Sequence, residues 1–325
     1  MALAASGKLS LGDVRTQFGK TGTISMSTLY DSKIFYKPTV SPIPETGTIS
    51  LTQFYGRANN IPILDTAGAT PFAGYSVRRL YSTYNGPMVQ VRRSTDNAVL
   101  AFYGDVNGIV GTSVNGRGTK IAAWLNGATG YIVRMYDQTG NNRYMEETDT
   151  TRQPTIVASS TYSGIRFNFS RLRHYFTGTI TSFTMIGMCN FNYGSAAGYF
   201  GIEDSSGNVF DTLVKNESVY ELLHGSDYLS RTYGSSTAVT GKKSAALLFG
   251  PSNSRMYVNG AQVASSTAYS PVTYTNQHFH LGYRHSFGAT GPLYNSEIFE
   301  VLYFASALAA ATISTISASQ TTSFA

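Results

Sequence analysis

The chain has 325 residues, enough for one large β-domain plus a smaller piece, or for two medium domains. Only 13% of residues are charged, the net charge is +6, and Gly, Ser, Thr and Tyr are abundant, which suits strands and tight turns rather than long solvated helices. No apolar run is long enough to span a bilayer, the basic residues do not cluster as a nucleic-acid footprint does, and Met1–Gly7 turns polar too early for a secretory leader.

Residues 1–60 form a first region with a duplicated pattern. Thr21-Gly22-Thr23-Ile24-Ser25-Met26-Ser27-Thr28-Leu29-Tyr30 recurs as Thr46-Gly47-Thr48-Ile49-Ser50-Leu51-Thr52-Gln53-Phe54-Tyr55, and a related unit runs from Leu9 to Gly19. Ser10, Ser25 and Ser50 are each placed to cap a short helical turn, and Ser50 with Gln53 fits a capping box. Turns this short bury no core of their own and call for a docking surface. The segment resembles an N-terminal element of phage and large-DNA-virus virion proteins, which implies attachment to a particle or a neighbouring subunit. A Pro-punctuated linker, Tyr36–Pro44, separates the two closest repeats, and the domain boundary falls near Asn60.

From residue 61 onward the pattern is all-β. Strands are predicted over Met88–Arg93, Ala98–Tyr103, Tyr131–Tyr136, Gly164–Phe169, Phe183–Phe191 and Lys243–Phe249, separated by Gly, Asn, Asp and Ser clusters. Gly118–Leu125 reads as a short helix. Ser254–Val263 alternates into and out of an Asn259-Gly260 turn, the signature of a hairpin. Strands over Phe279–Tyr283 and Glu297–Phe304 follow, then a closing helix near Ala307–Ser317. The order predicts a β-sandwich of the jelly-roll kind, preceded by the small segment of helical turns.

Two motifs sharpen this reading. Arg78-Arg79-Leu80-Tyr81-Ser82-Thr83-Tyr84-Asn85-Gly86-Pro87 runs on through Val91–Asn97, and Tyr131-Ile132-Val133-Arg134-Met135-Tyr136-Asp137-Gln138-Thr139-Gly140-Asn141 comes later. Their order and spacing resemble the catalytic domain of family 54 α-L-arabinofuranosidases, which implies a concanavalin A-like sandwich over 61–325. The C-terminal third is similar to laminin-G and concanavalin A-like domains generally. Fungal members of the arabinofuranosidase family are secreted and disulfide-bonded. Here Cys189 stands alone in an apolar run, which reads as a buried hydrophobe in a protein made in a reducing compartment.

A retaining glycosidase needs two carboxyl groups about 5–5.5 Å apart. The resemblance implies a Glu nucleophile on an inner strand and an acid/base Asp just after a Leu-Gly strand end. The second position here reads Leu281-Gly282-Tyr283-Arg284-His285, without the Asp, and His285 is the substitute candidate. For the first position the carboxylates are Asp211, Glu217 and Glu221, none in the family's local context. Asp137 reads as a turn-capping residue rather than a catalytic one. His278 and His280, two apart on one strand, lack a nearby carboxylate for a metal, and Asp204, Asn208 and Asp211 fit a plain turn better than a calcium loop. No cofactor or metal is therefore expected.

The 23 Tyr and 18 Phe exceed what a sandwich core uses. Tyr193, Tyr199, Tyr228, Tyr233 and Tyr283 are the candidates for stacking on glycan from Gly/Ser-rich loops. The sequence leads to the expectation of a virion structural protein (minor capsid, fibre or tail-associated). It would dock on other capsid proteins through residues 1–60, in multiple copies, and carry a non-catalytic lectin-like sandwich for subunit or cell-surface glycan contact. The alternative is an α-L-arabinofuranosidase-like hydrolase with Glu217, Glu221 and His285 as catalytic candidates.

Overall fold

The computed structural model describes residues 7–17, 23, 25, 48, 50–54, 62–104, 108, 110, 120–158, 163–191, 197–204, 209–216, 219–224, 227–232, 240–250, 253–267, 274–282 and 296–324. The described chain is an antiparallel sheet that curls into two facing layers.

The back layer is organised around Phe183–Phe191 (β9), which pairs along its whole length with Gly241–Phe249 (β14) and on its other edge with Ser296–Phe304 (β18). Ser254–Val258 (β15) and Ala261–Ser266 (β16) extend it beyond β14, while Ala73–Ser76 (β1) and Ser163–Phe167 (β7) share the far edge of β18. β9 and β18 are nearly continuous apolar runs, not alternating ones, because both of their faces are covered. One face meets the opposing layer. The other meets the closing helix Ala310–Ser323 (α3) and residues 63–67, where Ile186, Leu302 and Phe304 pack with Ile63, Leu64, Ile313 and Ile316.

The front layer runs from Met145–Glu146 (β5) through Leu172–Ile180 (β8), Tyr274–Leu281 (β17), Ala197–Asp204 (β10), Val209–Asn216 (β11) and Val219–His224 (β12) to Asp227–Thr232 (β13). β5 joins it to Gly130–Met135 (β4), then Pro87–Arg93 (β2) and Val99–Tyr103 (β3), and Thr155–Ala158 (β6) links β4 back to β7. The core between the layers is aromatic. Phe279 stacks on Phe176 at 4.6 Å and on Tyr303 at 4.2 Å between ring centroids. Gly187 of β9 admits the Phe200 ring of β10 so closely that a Cβ there would lie 2.4 Å from it. Cys189 is buried in this core, with its thiol pKa pushed up by burial.

Local chemistry accounts for the smaller features. Asn259 and Gly260 both take positive φ, 49° and 81°, closing the β15–β16 hairpin as a mirror-image turn. The helix expected at 118–125 is Ile121–Leu125 (α2), ended by Asn126 in the left-handed region. The strand expected to reach Phe169 stops at Phe167, because Phe169 turns to φ 56°. Helix α3 ends later than its sequence suggests. Its Ser- and Thr-rich end has modest helix propensity, and docking of Ser317, Gln320 and Ser323 against the sheet holds it.

In the N-terminal region, Ser10 caps the helix Leu11–Gln17 (α1). Its Oγ accepts the Asp13 N–H at 3.1 Å, and its own N–H donates to the Asp13 carboxylate at 2.8 Å. This is the kind of reciprocal box expected at Ser50 and Gln53, found two units earlier with Asp as the returning acid. A 3-10 turn, Leu51–Phe54, follows Ser50. Val14 and Phe54, each four residues after its serine, are fully buried. Most of the Ser25 unit and the linker 36–44 lie outside the described residues.

Candidate active-site face

The two motifs that carry the arabinofuranosidase resemblance build a polar knot beneath the sheets. Arg78 and Glu300 are both buried and pair bidentately: Nε donates to Oε2 at 2.6 Å and an Nη to Oε1 at 2.9 Å. Glu300 also accepts Ser76 Oγ at 2.8 Å and Gln320 Nε2 at 3.1 Å, while Arg78 donates to Ser319 and Ser323 of α3. The knot thereby ties β1, β18 and α3 together. Sequence reading left the partner of Arg78 unassigned. The available signal was Glu300 itself, a lone acid within the apolar run Ile298–Phe304.

Asp137 collects three backbone N–H groups: Gly74 at 3.0 Å, Thr139 at 3.0 Å and Arg143 at 3.3 Å. The Thr139 hydroxyl adds a further bond at 2.7 Å. Gln138 donates to the carbonyls of Ser76 and Arg78 and accepts the Leu80 N–H, so its side chain adds to the backbone bonds that hold the segment after β1. Gly140 follows at φ 84°, where a side chain is disfavoured. Asp137 is therefore a structural acceptor, as its turn context predicts.

The surface left for chemistry is the outer side of β8, β17 and β10–β12. Phe176 and Phe279 point into the core, so by alternation Tyr175 and His278 take the opposite side. There the Tyr175 ring, 47% exposed, meets the His278 ring at 5.0 Å. His280, next along the same side, is fully buried, and desolvation first, then Arg173 and His278, push its pKa down to about 3. The carboxylate-bearing strands continue from there. Glu203 pairs in register with His278, Asp211 with Ile202 and His224, and Glu221 with Val214 and Ser230.

Strand β17 ends at Leu281 and is followed by Gly282, the glycine of the family-like Leu-Gly pair. Its φ is 82°, and a Cβ there would lie 2.0 Å from the Phe167 ring. The pair survives for a packing reason, and the chain beyond it, with Tyr283, Arg284 and His285, lies outside the described residues. So do Glu217, Tyr193 and Tyr233. Glu221 lies within β12 and Tyr228 within β13, opposite Leu223. Tyr199 requires a correction. It belongs to β10 rather than a loop and is 1% exposed. Its ring packs on Phe191 at 4.4 Å and its hydroxyl bonds Ser296 Oγ at 3.1 Å. Sequence reading placed it in a loop because Gly194–Gly198 precedes it, and a buried tyrosine cannot stack on glycan. Among the described residues, no group of three or more His, Cys, Asp or Glu side chains is arranged to hold a metal.

Residues 63–166 match the family model described as α-L-arabinofuranosidase B, catalytic. Solved structures of a GH54 α-L-arabinofuranosidase soaked with a cyclic sulfate inhibitor, and of an arabinofuranosidase complexed with arabinofuranosyl-α-1,2-xylobiose, share the fold. Each aligns over 81% of this chain with a TM-score of 0.62 and 13% identity. The chain spans 65% of the length of those structures. No curated protein matches it. These similarities overturn the expectation of a non-catalytic virion protein. The family model matched over residues 63–166 is that of an arabinofuranosidase catalytic domain, and the solved structures share the fold.

Proposed function

We propose that this chain is an α-L-arabinofuranosidase-like glycoside hydrolase that removes arabinofuranosyl groups from a cell-surface polysaccharide. The observation that carries the reading is the match of residues 63–166 to the arabinofuranosidase catalytic model. The motif residues within it hold together a sandwich of the same fold. Strands β10–β12 supply the carboxylates such chemistry needs, with Glu221 on β12 and Glu217 in sequence just before it as nucleophile candidates. His285, three residues past Gly282, takes the place of the family acid.

The test is release of 4-nitrophenol from 4-nitrophenyl α-L-arabinofuranoside. Turnover is expected to fall about a hundredfold or more in Glu221→Gln or Glu217→Gln, whichever is the nucleophile. Absence of turnover, or turnover unchanged in both variants, would sink the reading.

A further inference from the structure

The outer side of the front layer carries a ring pair that the chemistry does not need. Tyr175 lies 47% exposed mid-strand in β8, one of the few large hydrophobic side chains exposed among the described residues. Mid-strand rings usually pack inward, as Phe176 does one residue later, stacked on Phe279. Tyr175 instead rests against His278 of β17, directly opposite it in register, with the ring planes 55° apart. Such a pair combines an exposed aromatic ring, a phenol hydroxyl and an imidazole, the composition that suits the C–H face and hydroxyls of a sugar ring. Register relates it to the candidate Glu221: His278 pairs with Glu203 of β10, β11 and β12 follow, and Glu221 of β12 stands three strands from His278. A hydrolase that trims side groups from a polymer must hold the polymer beside the bond it cuts, and binding energy gained remotely serves that purpose.

We propose that Tyr175 and His278 form a stacking platform for one sugar of the neutral main chain of an arabinose-decorated polysaccharide, outside the subsite where the arabinofuranosyl group is cleaved. The inference rests on the hydrolase reading for the identity of its occupant. The probe is soluble arabinoxylan in affinity gel electrophoresis at neutral pH. Wild type is expected to be retarded, Tyr175→Ala to bind about tenfold more weakly, and Tyr175→Phe, which keeps the ring, to bind nearly as wild type. His278→Ala should weaken binding less than Tyr175→Ala. Thermal midpoints of the variants exclude unfolding as the cause.

Retardation that survives Tyr175→Ala, or no retardation of wild type, overturns the platform. Equal loss in Tyr175→Phe and Tyr175→Ala overturns stacking as the mode. The two readings fail separately: a wild-type protein that is retarded without releasing 4-nitrophenol keeps the platform and loses the hydrolase. One that releases 4-nitrophenol while Tyr175→Ala keeps its retardation does the reverse.

Discussion

The knot around Arg78 and the face around His278 are built from the same kinds of residue and treat them in opposite ways. In the knot, charges are buried and each is met by a partner of fixed geometry: Arg78 by Glu300, Asp137 by three backbone N–H groups, Gln138 by the polar backbone of residues 76–80. On the face, the exposed Tyr175 ring rests against His278 and the neighbouring strand brings Glu203 into register. The knot is where the family-like motifs lie, and the face is where chemistry is proposed. A sequence pattern therefore survives most visibly where buried polar groups forbid substitution, which is a constraint of folding, whereas function rests on residues free to change.

Removing one member of the knot should have the largest effect. Arg78→Leu strands Glu300 in the core with, among the described residues, Ser76 and Gln320 left to hydrogen-bond it, and a loss of about 3–5 kcal/mol is expected in urea denaturation. The double variant Arg78→Leu/Glu300→Leu should recover much of that loss, because no uncompensated charge remains. Single and double variants of equal stability would show that the pair does not act as a unit. Asp137→Ala comes next: three backbone donors lose their acceptor together, for a loss of about 2–4 kcal/mol.

The sandwich itself was legible. Phe183–Phe191 reads as a strand at its true limits, and Asn259-Gly260 marks its hairpin, because strand periodicity and turn chemistry are local signals. The asparagine and glycine supply positive φ wherever they fall. Tyr199 was misread because burial is set by the partner strand: a tyrosine after a Gly/Ser-rich stretch looks like a loop residue until Phe191 is placed beside it. The Arg78–Glu300 pair was invisible for a related reason, since its members are far apart in sequence and meet only when β1 and β18 pair. The candidate site was legible only as the carboxylates Asp211, Glu217 and Glu221, with His285 as the substitute acid. Which of them share a strand register depends on the pairing of β10, β11 and β12.

The face adds a pH dependence of its own. His280 has its pKa lowered to about 3, so the native state stays unprotonated where the unfolded chain, near 6.5, takes up a proton. Stability is then full above about pH 6.5 and falls as the pH drops toward 3, with about 2 kcal/mol lost by pH 5. His280→Asn should flatten the thermal midpoint between pH 7 and pH 5, and an unchanged slope would show that His280 is not the group responsible. His174, also lowered by burial, would carry a smaller part of the same slope.

The smallest effect is expected at the ion pair that looks most like the knot on paper. Arg93 and Asp96 meet at 2.5 Å, as close as Arg78 and Glu300 at 2.6 Å, and the Arg93 guanidinium lies over the Trp124 ring at 4.8 Å. The Arg93 hydrogen bond, helped by the Ala98 N–H, holds the Asp96 carboxyl down at about 2. Both side chains are open to water, however, and solvent screens the pair whatever its length. Asp96→Asn should leave the thermal midpoint at pH 7 within error of wild type, while in Arg93→Ala the Asp96 carboxyl, followed by NMR titration, moves back toward its ordinary value. The carboxyl is ionised above about pH 4 and takes up its proton as the pH falls through 2, a window below most of the His280 range. A destabilisation of Asp96→Asn comparable to that of Arg78→Leu would mean that contact geometry, rather than burial, sets the worth of a charge pair in this fold.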